Sequence, residues 1–281
     1  LPSIIHHPLS YQVGPFQLTG FGLAVLLAFV IAQITTGEAL TERGRDPSVT
    51  SDCIIAAVVG GLVGAKVYYA ILTGDVSNLF HRSGFVFWGG LIGGVVSTAA
   101  LVKVKGWSVP QISDACAPGL AAAYSIGRTG CWAVGDDYGR PWQSPWAVSF
   151  PEGAPPSTAE NLSQLFHVQV PAGIAPTTVL SVYPTQLFEV TLGFVMFLIL
   201  WRFRNHRHAA GWLFGFYFLL AGVERFLIEF MRAKDDHIIG PFTTAQYIAI
   251  AAAVGGALLM YARRNVTTAA EGIYAKPAVA G

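Results

Sequence analysis

The chain has 281 residues, of which 53% are hydrophobic and only 12% charged, about half the ~25% charge of an ordinary soluble domain. So few charges cannot cover a water-facing surface, and a mean hydropathy of +0.52 points to lipid as the solvent for much of the chain; the same arithmetic excludes disorder. Seventeen Lys and Arg offset sixteen Asp and Glu without a long basic run, so no nucleic-acid partner is expected. Three cysteines, Cys53, Cys116 and Cys131, spell neither a disulfide framework nor a zinc pattern, and no metal or cofactor is expected.

In chain order, Leu1–Pro15 carries no Lys or Arg ahead of the first apolar run and does not read as a signal peptide. Stretches near the ~20 residues that cross a bilayer core follow at 18–37, 53–73, 86–103, 112–127, 184–202, 211–231 and 242–262. The second and third contain Gly60-Gly61-x-x-Gly64 and Gly89-Gly90-x-x-Gly93-Gly94, small surfaces that let helices approach closely in lipid. The fourth is short and rich in Ala and Gly, with Pro118 inside, and reads as kinked or half-buried rather than lipid-facing. Residues 135–182 then hold Pro151, Gly153, Pro155, Pro156 and Ser157, which predict a small loop-rich head rather than a second domain. The expected fold is therefore an all-α membrane protein of about seven transmembrane helices. Spans one to four occupy 1–134, the head 135–182, spans five to seven 183–264, and a cytoplasmic tail 265–281.

Basic residues favour the cytoplasmic side of a membrane. With the N-terminus outside, the inner loops and tail hold Arg43, Arg45, Lys103, Lys105, Arg202, Arg204, Arg207, Arg263, Arg264 and Lys276, against Arg82, Arg128, Arg140, Arg232 and Lys234 outside. The expected topology is N-out and C-in, with the head on the outer, periplasmic side. His206 and His208, among Arg202, Arg204 and Arg207, read as a solvated basic loop touching anionic lipid, and Asp235-Asp236 as a charged loop.

Ionisable groups within spans cost roughly 2.5–3.5 kcal/mol each on insertion scales and mark function or structural pairing. On the expected topology Arg225 and Glu229 lie one helical turn apart in the outer half of span six, with Arg232 continuing their face. Gln186 and Glu189 occupy the outer half of span five behind Pro184, a first-turn proline. Arg128 ends span four, Trp88 stands at the outer end of span three, and Lys66 lies beyond the midpoint of span two. A proton or ion relay would instead spread such groups through the bilayer. Each also has a plain reading: a structural ion pair for Arg225 and Glu229, snorkelling for Lys66, an interfacial anchor for Trp88.

Taken together, Gly20-Phe21-Gly22-Leu23, Gly64-Ala65-Lys66-Val67-Tyr68, Phe87-Trp88-Gly89-Gly90-Leu91-Ile92-Gly93-Gly94, Gly127-Arg128-Thr129-Gly130-Cys131, Tyr183-Pro184-Thr185-Gln186-Leu187-Phe188-Glu189 and Glu224-Arg225-Phe226-Leu227-Ile228-Glu229-Phe230-Met231-Arg232 resemble the bacterial prolipoprotein diacylglyceryl transferases. The resemblance implies transfer of a diacylglyceryl group from phosphatidylglycerol to the thiol of a lipobox cysteine in a prolipoprotein signal peptide, with release of glycerol phosphate at the outer face of the inner membrane. Guanidinium forks suit a phosphodiester, so Arg128 and Arg225 are the expected phosphate ligands, with Glu229 holding Arg225. Gln186 and Glu189 are expected to orient the glycerol hydroxyl or a further Arg, and Lys66, Trp88, Gly89, Gly139, Cys131 and Phe21 to line the substrate site. Because the nucleophile is the substrate's own thiol, no Ser–His or Cys–His pair is required.

The chain also departs from that family. Trp88 stands where the family shows His, Phe21 where it shows Tyr, and Cys131 where it shows Asn; the family's acid with Gly three residues on appears within Asp136-Asp137-Tyr138-Gly139. Trp88 cannot accept a proton; either the substrate thiol, a few per cent ionised near neutrality at a pKa of ~8.5, needs no base, or Asp136 or Asp137 substitutes, and Cys131 is either a packing substitute or a reactive thiol. The alternative reading is a catalytically impaired relative that binds lipid as a structural or accessory subunit, with other membrane proteins as partners. A small-solute transporter is disfavoured, since spans 1–3 and 5–7 show no internal repeat.

Overall fold

The computed structural model describes residues 4–14, 16–81, 84–234 and 237–265. Thr19 accepts a hydrogen bond from the Gly22 N–H and starts helix α1 (Gly20–Thr41), the capping that Thr favours. Helix α2 (Val49–Thr73) stops on Gly74 in the left-handed region, and α3 (Phe87–Val104) follows. Helix α4 (Val109–Val134) has Pro110 in its first turn and ends on left-handed Gly135. Helices α5 (Thr185–Phe203) and α6 (Trp212–Glu229) precede α7 (Thr244–Ala262), which opens with a reciprocal Thr243–Gln246 capping box.

Five of these helices, α1, α2, α3, α5 and α7, are long and apolar enough to cross a membrane. Helix α6 matches them in length but carries Glu224, Arg225 and Glu229. Helix α4 is less apolar because of its Ala, Gly and Ser content, and at 26 residues it is longer than the expected 112–127. Its small residues explain the difference. They bury it against α1 and α5, where Gly130 faces Ala24 and Phe21, and Gly193 faces Tyr124 and Ser125. Pro118 is buried inside it without ending it.

Helices α2 and α3 meet through their glycines. A Cβ on Gly64 would collide with the Gly89 carbonyl oxygen and lie 2.9 Å from the Gly93 Cα, and one on Gly89 would strike the Gly64 carbonyl. Ser97 adds a hydrogen bond from its Oγ to the Ala56 carbonyl at 2.7 Å. Gly64→Val is therefore expected to force the pair apart at a cost of roughly 1–3 kcal/mol, as overpacking does. Thermal unfolding of the purified protein, followed by tryptophan fluorescence, checks this; an unchanged melting temperature would disprove the packing.

The segment between α4 and α5 does not stand alone. Strand β1 (Ile4–Ile5) pairs in parallel with β4 (Val148–Ser149), which pairs antiparallel with β5 (Ser181–Val182). The head thus draws in the N-terminal residues, which a reading confined to 135–182 leaves out. Its core packs Tyr138, Phe150, Leu162 and Val182 together with Trp132 from the end of α4. Hairpins β2 (Ser10–Val13) with β3 (Phe16–Thr19), and β6 (His237–Ile239) with β7 (Phe242–Thr243), lead into α1 and α7.

The reading of His206 and His208 as a solvated basic loop is corrected for His206, while His208 is half-buried. His206 is buried, with its Nε2 3.4 Å from buried Asp114, and its ring packs against Trp212. Asp114, on α4, accepts from the Gly211 and Phe214 N–H groups at 2.7 and 2.8 Å. It caps α6 from another helix, where a negative charge is favourable. Arg82, Asp235-Asp236 and Lys276, all used in the sequence reading, lie outside the described residues, as does all of the 265–281 tail except Asn265.

Candidate active site

Helices α4, α5 and α6 bring ionisable residues to one place, where the charges pair with one another. Arg128, near the end of α4, is the hub. Its Nη2 bonds Glu189 of α5, and its Nη1 donates to Asp137 Oδ2 at 2.8 Å and to Cys131 Sγ at 3.2 Å. Arg232, just past α6, donates through Nη2 to Asp137 Oδ1 at 2.7 Å and lies 3.5 Å from Glu189. Arg225 pairs with Glu229 at 2.6 Å across one helical turn and approaches Glu189 to 3.8 Å. Glu229 also accepts from Thr243 Oγ1 at 3.2 Å. Tyr124, one turn before Arg128, donates to Glu189 and sits 3.1 Å from Glu224.

Three guanidiniums thus face three directly paired carboxylates, of which Glu189 and Glu229 are buried while the Asp137 side chain is 41% exposed. The Glu189 side chain is 2% exposed and Arg128 and Arg232 are each 12% exposed, while Arg225 is 31% exposed and is the most accessible of the three cations.

The loop after α4 is fixed to this cluster by its backbone. Gln186 donates its Nε2 to the Asp136 carbonyl at 2.6 Å, and Thr185 its Oγ1 to the Asp137 carbonyl at 2.8 Å. Gly139 bridges to Arg232 and donates its N–H to the Tyr183 carbonyl at 2.8 Å. A Cβ there would collide with the Met231 carbonyl oxygen and come 2.6 Å from the Tyr183 Cβ. Gly139 is therefore a close-approach glycine that seats Asp137 between two arginines. Burial alone would raise the Asp137 carboxyl, but Arg232 and Arg128 outweigh it and hold it at about 2. Asp136 goes the other way: burial, reinforced by the charge of Asp137, pushes its carboxyl above the usual range.

Five buried polar atoms around the cluster make no hydrogen bond among the described residues: Arg128 Nε, Arg232 Nε, Gln186 Oε1, Asp136 Oδ1 and Glu229 Oε2, the last ion-paired with Arg225 at 2.6 Å and 3.8 Å from Arg232 Nε. Two are donors from cations and three are acceptors. Buried polar groups are ordinarily paired, so this set is complementary to a ligand that carries both anionic oxygens and hydroxyl or thiol protons. Ligand-type atoms of Cys131, Asp136 and Asp137 lie within 4.8 Å of one another, but the Arg128 Nη1 already bonds two of these residues.

Of the residues expected from sequence, Arg128, Arg225, Glu229, Glu189, Gln186, Asp136, Gly139 and Cys131 assemble here. Phe21 packs against α4 at Gly130. Lys66, Trp88 and Gly89 belong to the α2–α3 pair. Lys66 donates to the His81 carbonyl and lies over the Phe85 ring at 4.4 Å; Trp88 is 45% exposed beside Phe87; Gly89 serves helix packing. Tyr124, Glu224 and Thr243 were not singled out from sequence. The i, i+4 spacing of Tyr124 and Arg128 was a usable signal, and the Thr-x-x-Gln cap at 243–246 a weaker one.

Residues 8–262 match the family model described as prolipoprotein diacylglyceryl transferase. The protein named phosphatidylglycerol–prolipoprotein diacylglyceryl transferase in Xanthomonas oryzae pv. oryzae is 32% identical over 275 residues, covering 92% of this chain and 91% of that protein. The correspondingly named proteins of Clostridium perfringens and Clostridium tetani are 29% and 26% identical, covering 88% and 86% of this chain and 92% of each relative.

Proposed function

The chain belongs to the prolipoprotein diacylglyceryl transferase family, and from that premise we propose that it transfers the diacylglyceryl group of phosphatidylglycerol to a prolipoprotein cysteine thiol. The observation that carries the reading is the set of unpartnered atoms around Arg128. The Arg128 and Arg232 Nε–H groups would donate to phosphate oxygens, Arg225 would meet the headgroup from its exposed side, and Gln186 Oε1 would accept from a glycerol hydroxyl. The sulfur forms a bond to the glyceryl carbon as that carbon's bond to the phosphate oxygen breaks. Glycerol phosphate departs with the electron pair, its growing charge met by the guanidiniums. The thiol proton goes to Asp136, whose raised carboxyl pKa brings it closer to the ~8.5 of a thiol.

The same proposal sets all seven helices across the bacterial inner membrane, N-terminus and head outward, cytoplasmic tail inward. The positive-residue count supports that orientation, and the pairing of β1 with β4 supports a common side for the N-terminus and the head. The apolar outer faces of α2 and α3 offer lipid a sideways approach.

Incubation of the purified protein with phosphatidylglycerol and a lipobox peptide tests the reaction. Thioether peptide and glycerol phosphate are expected; folded protein that binds the lipid and forms neither would refute it. A proton-accepting Asp136 must be ionised, so the rate should rise with pH through a carboxyl pKa above the ordinary range. Asp136→Asn should lose about 10²-fold and flatten that limb of the profile; an unaltered profile would remove Asp136 from the role.

A further inference from the structure

At the end of the bundle opposite the charge cluster, where α1 ends and α2 and α4 begin, lies a cavity of about 500 Å³, within the ~300–1,000 Å³ usual for ligand sites. Gln111 on its wall and Arg128 are separated along α4 by about 25 Å of helix rise, so this space belongs to a different site. Two guanidiniums line it. Arg43 is only 9% exposed and is anchored by donation from Nη2 to the Arg204 carbonyl at 2.8 Å. Arg45 reaches across the opening to Gln111 Oε1 at 3.2 Å.

The acid in the lining, Asp46, is turned into its own loop, where both carboxylate oxygens are taken by Ser48, from its N–H at 2.9 Å and its hydroxyl at 2.6 Å. The flanking charges are paired among themselves, Glu42 with Arg204 and Asp52 with Lys105. The lining also includes the starts of α2 and α4, at Val49 and Ser108, and neither helix has a side-chain cap. Their positive ends add to the field of the arginines. The remaining wall is apolar, formed by Leu40, Val49, Ile112 and Trp107, and continues into the packed core between the same helices.

We propose that this cavity binds a phosphate-bearing anion, and specifically a phospholipid headgroup from the leaflet opposite the charge cluster. Cationic walls select the phosphate, and the apolar wall, with Trp107 at its edge, suits the glycerol and first methylenes rather than a fully hydrated ion. The proposal does not depend on the transfer reaction.

Native mass spectrometry of the full chain titrated with dioleoyl phosphatidic acid, and thermal melting in inorganic phosphate, test it with Arg45→Glu and Arg43→Gln beside the unmodified protein. Arg45 is exposed, so Arg45→Glu should fold and decides the matter; Arg43→Gln is scored only if it melts cooperatively. Arg45→Glu is expected to weaken one lipid adduct about tenfold or more while leaving diacylglyceryl transfer near its normal rate. If only the phosphate-induced rise in melting temperature disappears, the anion site stands with a soluble phosphate as its occupant. Unchanged lipid adducts together with an unchanged phosphate response would overturn the proposal.

Discussion

Arg128→Lys is expected to lower diacylglyceryl transfer about 10³-fold, with a much smaller loss of lipid binding. The positive charge survives, but the fork does not. The guanidinium holds Glu189, Asp137 and Cys131 through its two terminal nitrogens, which leaves its Nε–H as a fixed, unshared donor. An ammonium has no such third arm held in place, and it cannot satisfy two carboxylates in one plane. Preorganised donors aimed at developing charge are worth about 10²–10³-fold each, and Arg128 also positions Asp137. Arg225→Lys is the internal comparison: with one close partner and 31% exposure, it should lose only about tenfold, as for one charge-assisted contact. Glycerol phosphate release from phosphatidylglycerol, measured on both variants at matched melting behaviour, separates them. A tenfold or smaller loss in Arg128→Lys would remove Arg128 from the centre of the chemistry.

The contrast between these two arginines marks what can be read from a sequence of this kind. Run length and scarcity of charge identify the helices, because lipid admits few alternatives. The same logic points to Arg225 with Glu229 and to Gln186 with Glu189, since i, i+3 and i, i+4 neighbours share a face. It gives no information on which face of α4 meets which face of α5. Arg128 to Glu189 joins two helices and Arg232 to Asp137 joins the segments that follow α6 and α4; they are separated by 61 and 95 positions and are set by how small residues let α4 sink between its neighbours. The parallel pairing of Ile4 with Val148 is equally non-local, so the N-terminal part of the head was invisible. His206 was misread for a related reason: its basic neighbours suggested solvent, whereas the α6 N-terminus needed a capping carboxylate, Asp114, and that cap buries the histidine with it. Gly139, by contrast, was legible through its family pattern, although its packing against Met231 and Tyr183 was not.

Glu189→Leu should be the most destabilising single change in the cluster, by ~3–5 kcal/mol, the usual cost of breaking a buried ion pair from one side. Its carboxylate faces Arg128, Arg225, Arg232 and the Tyr124 hydroxyl together. Without it, three guanidiniums keep only Asp137 and Glu229 as directly paired carboxylates. Glu189→Gln keeps the shape and an acceptor oxygen and should lose less. Acid should act in the same direction on the wild type. Asp137 has a folded-state pKa of about 2 against an ordinary 3.8, so its contribution is complete above about 4 and fades as the pH falls through about 2. Unfolding in nanodiscs, followed by tryptophan fluorescence, measures all three, and a Glu189→Leu variant that melts with the wild type would show that the arginines do not depend on Glu189. The lipid provides a second arm. A phosphate restores negative charge to the same guanidiniums, so phosphatidylglycerol should stabilise Glu189→Gln more than it stabilises the wild type. Transfer should nevertheless fall, because a neutral amide gives up the charge-assisted bond that fixes the Arg128 fork, and with it the aim of the Arg128 Nε–H at the phosphate.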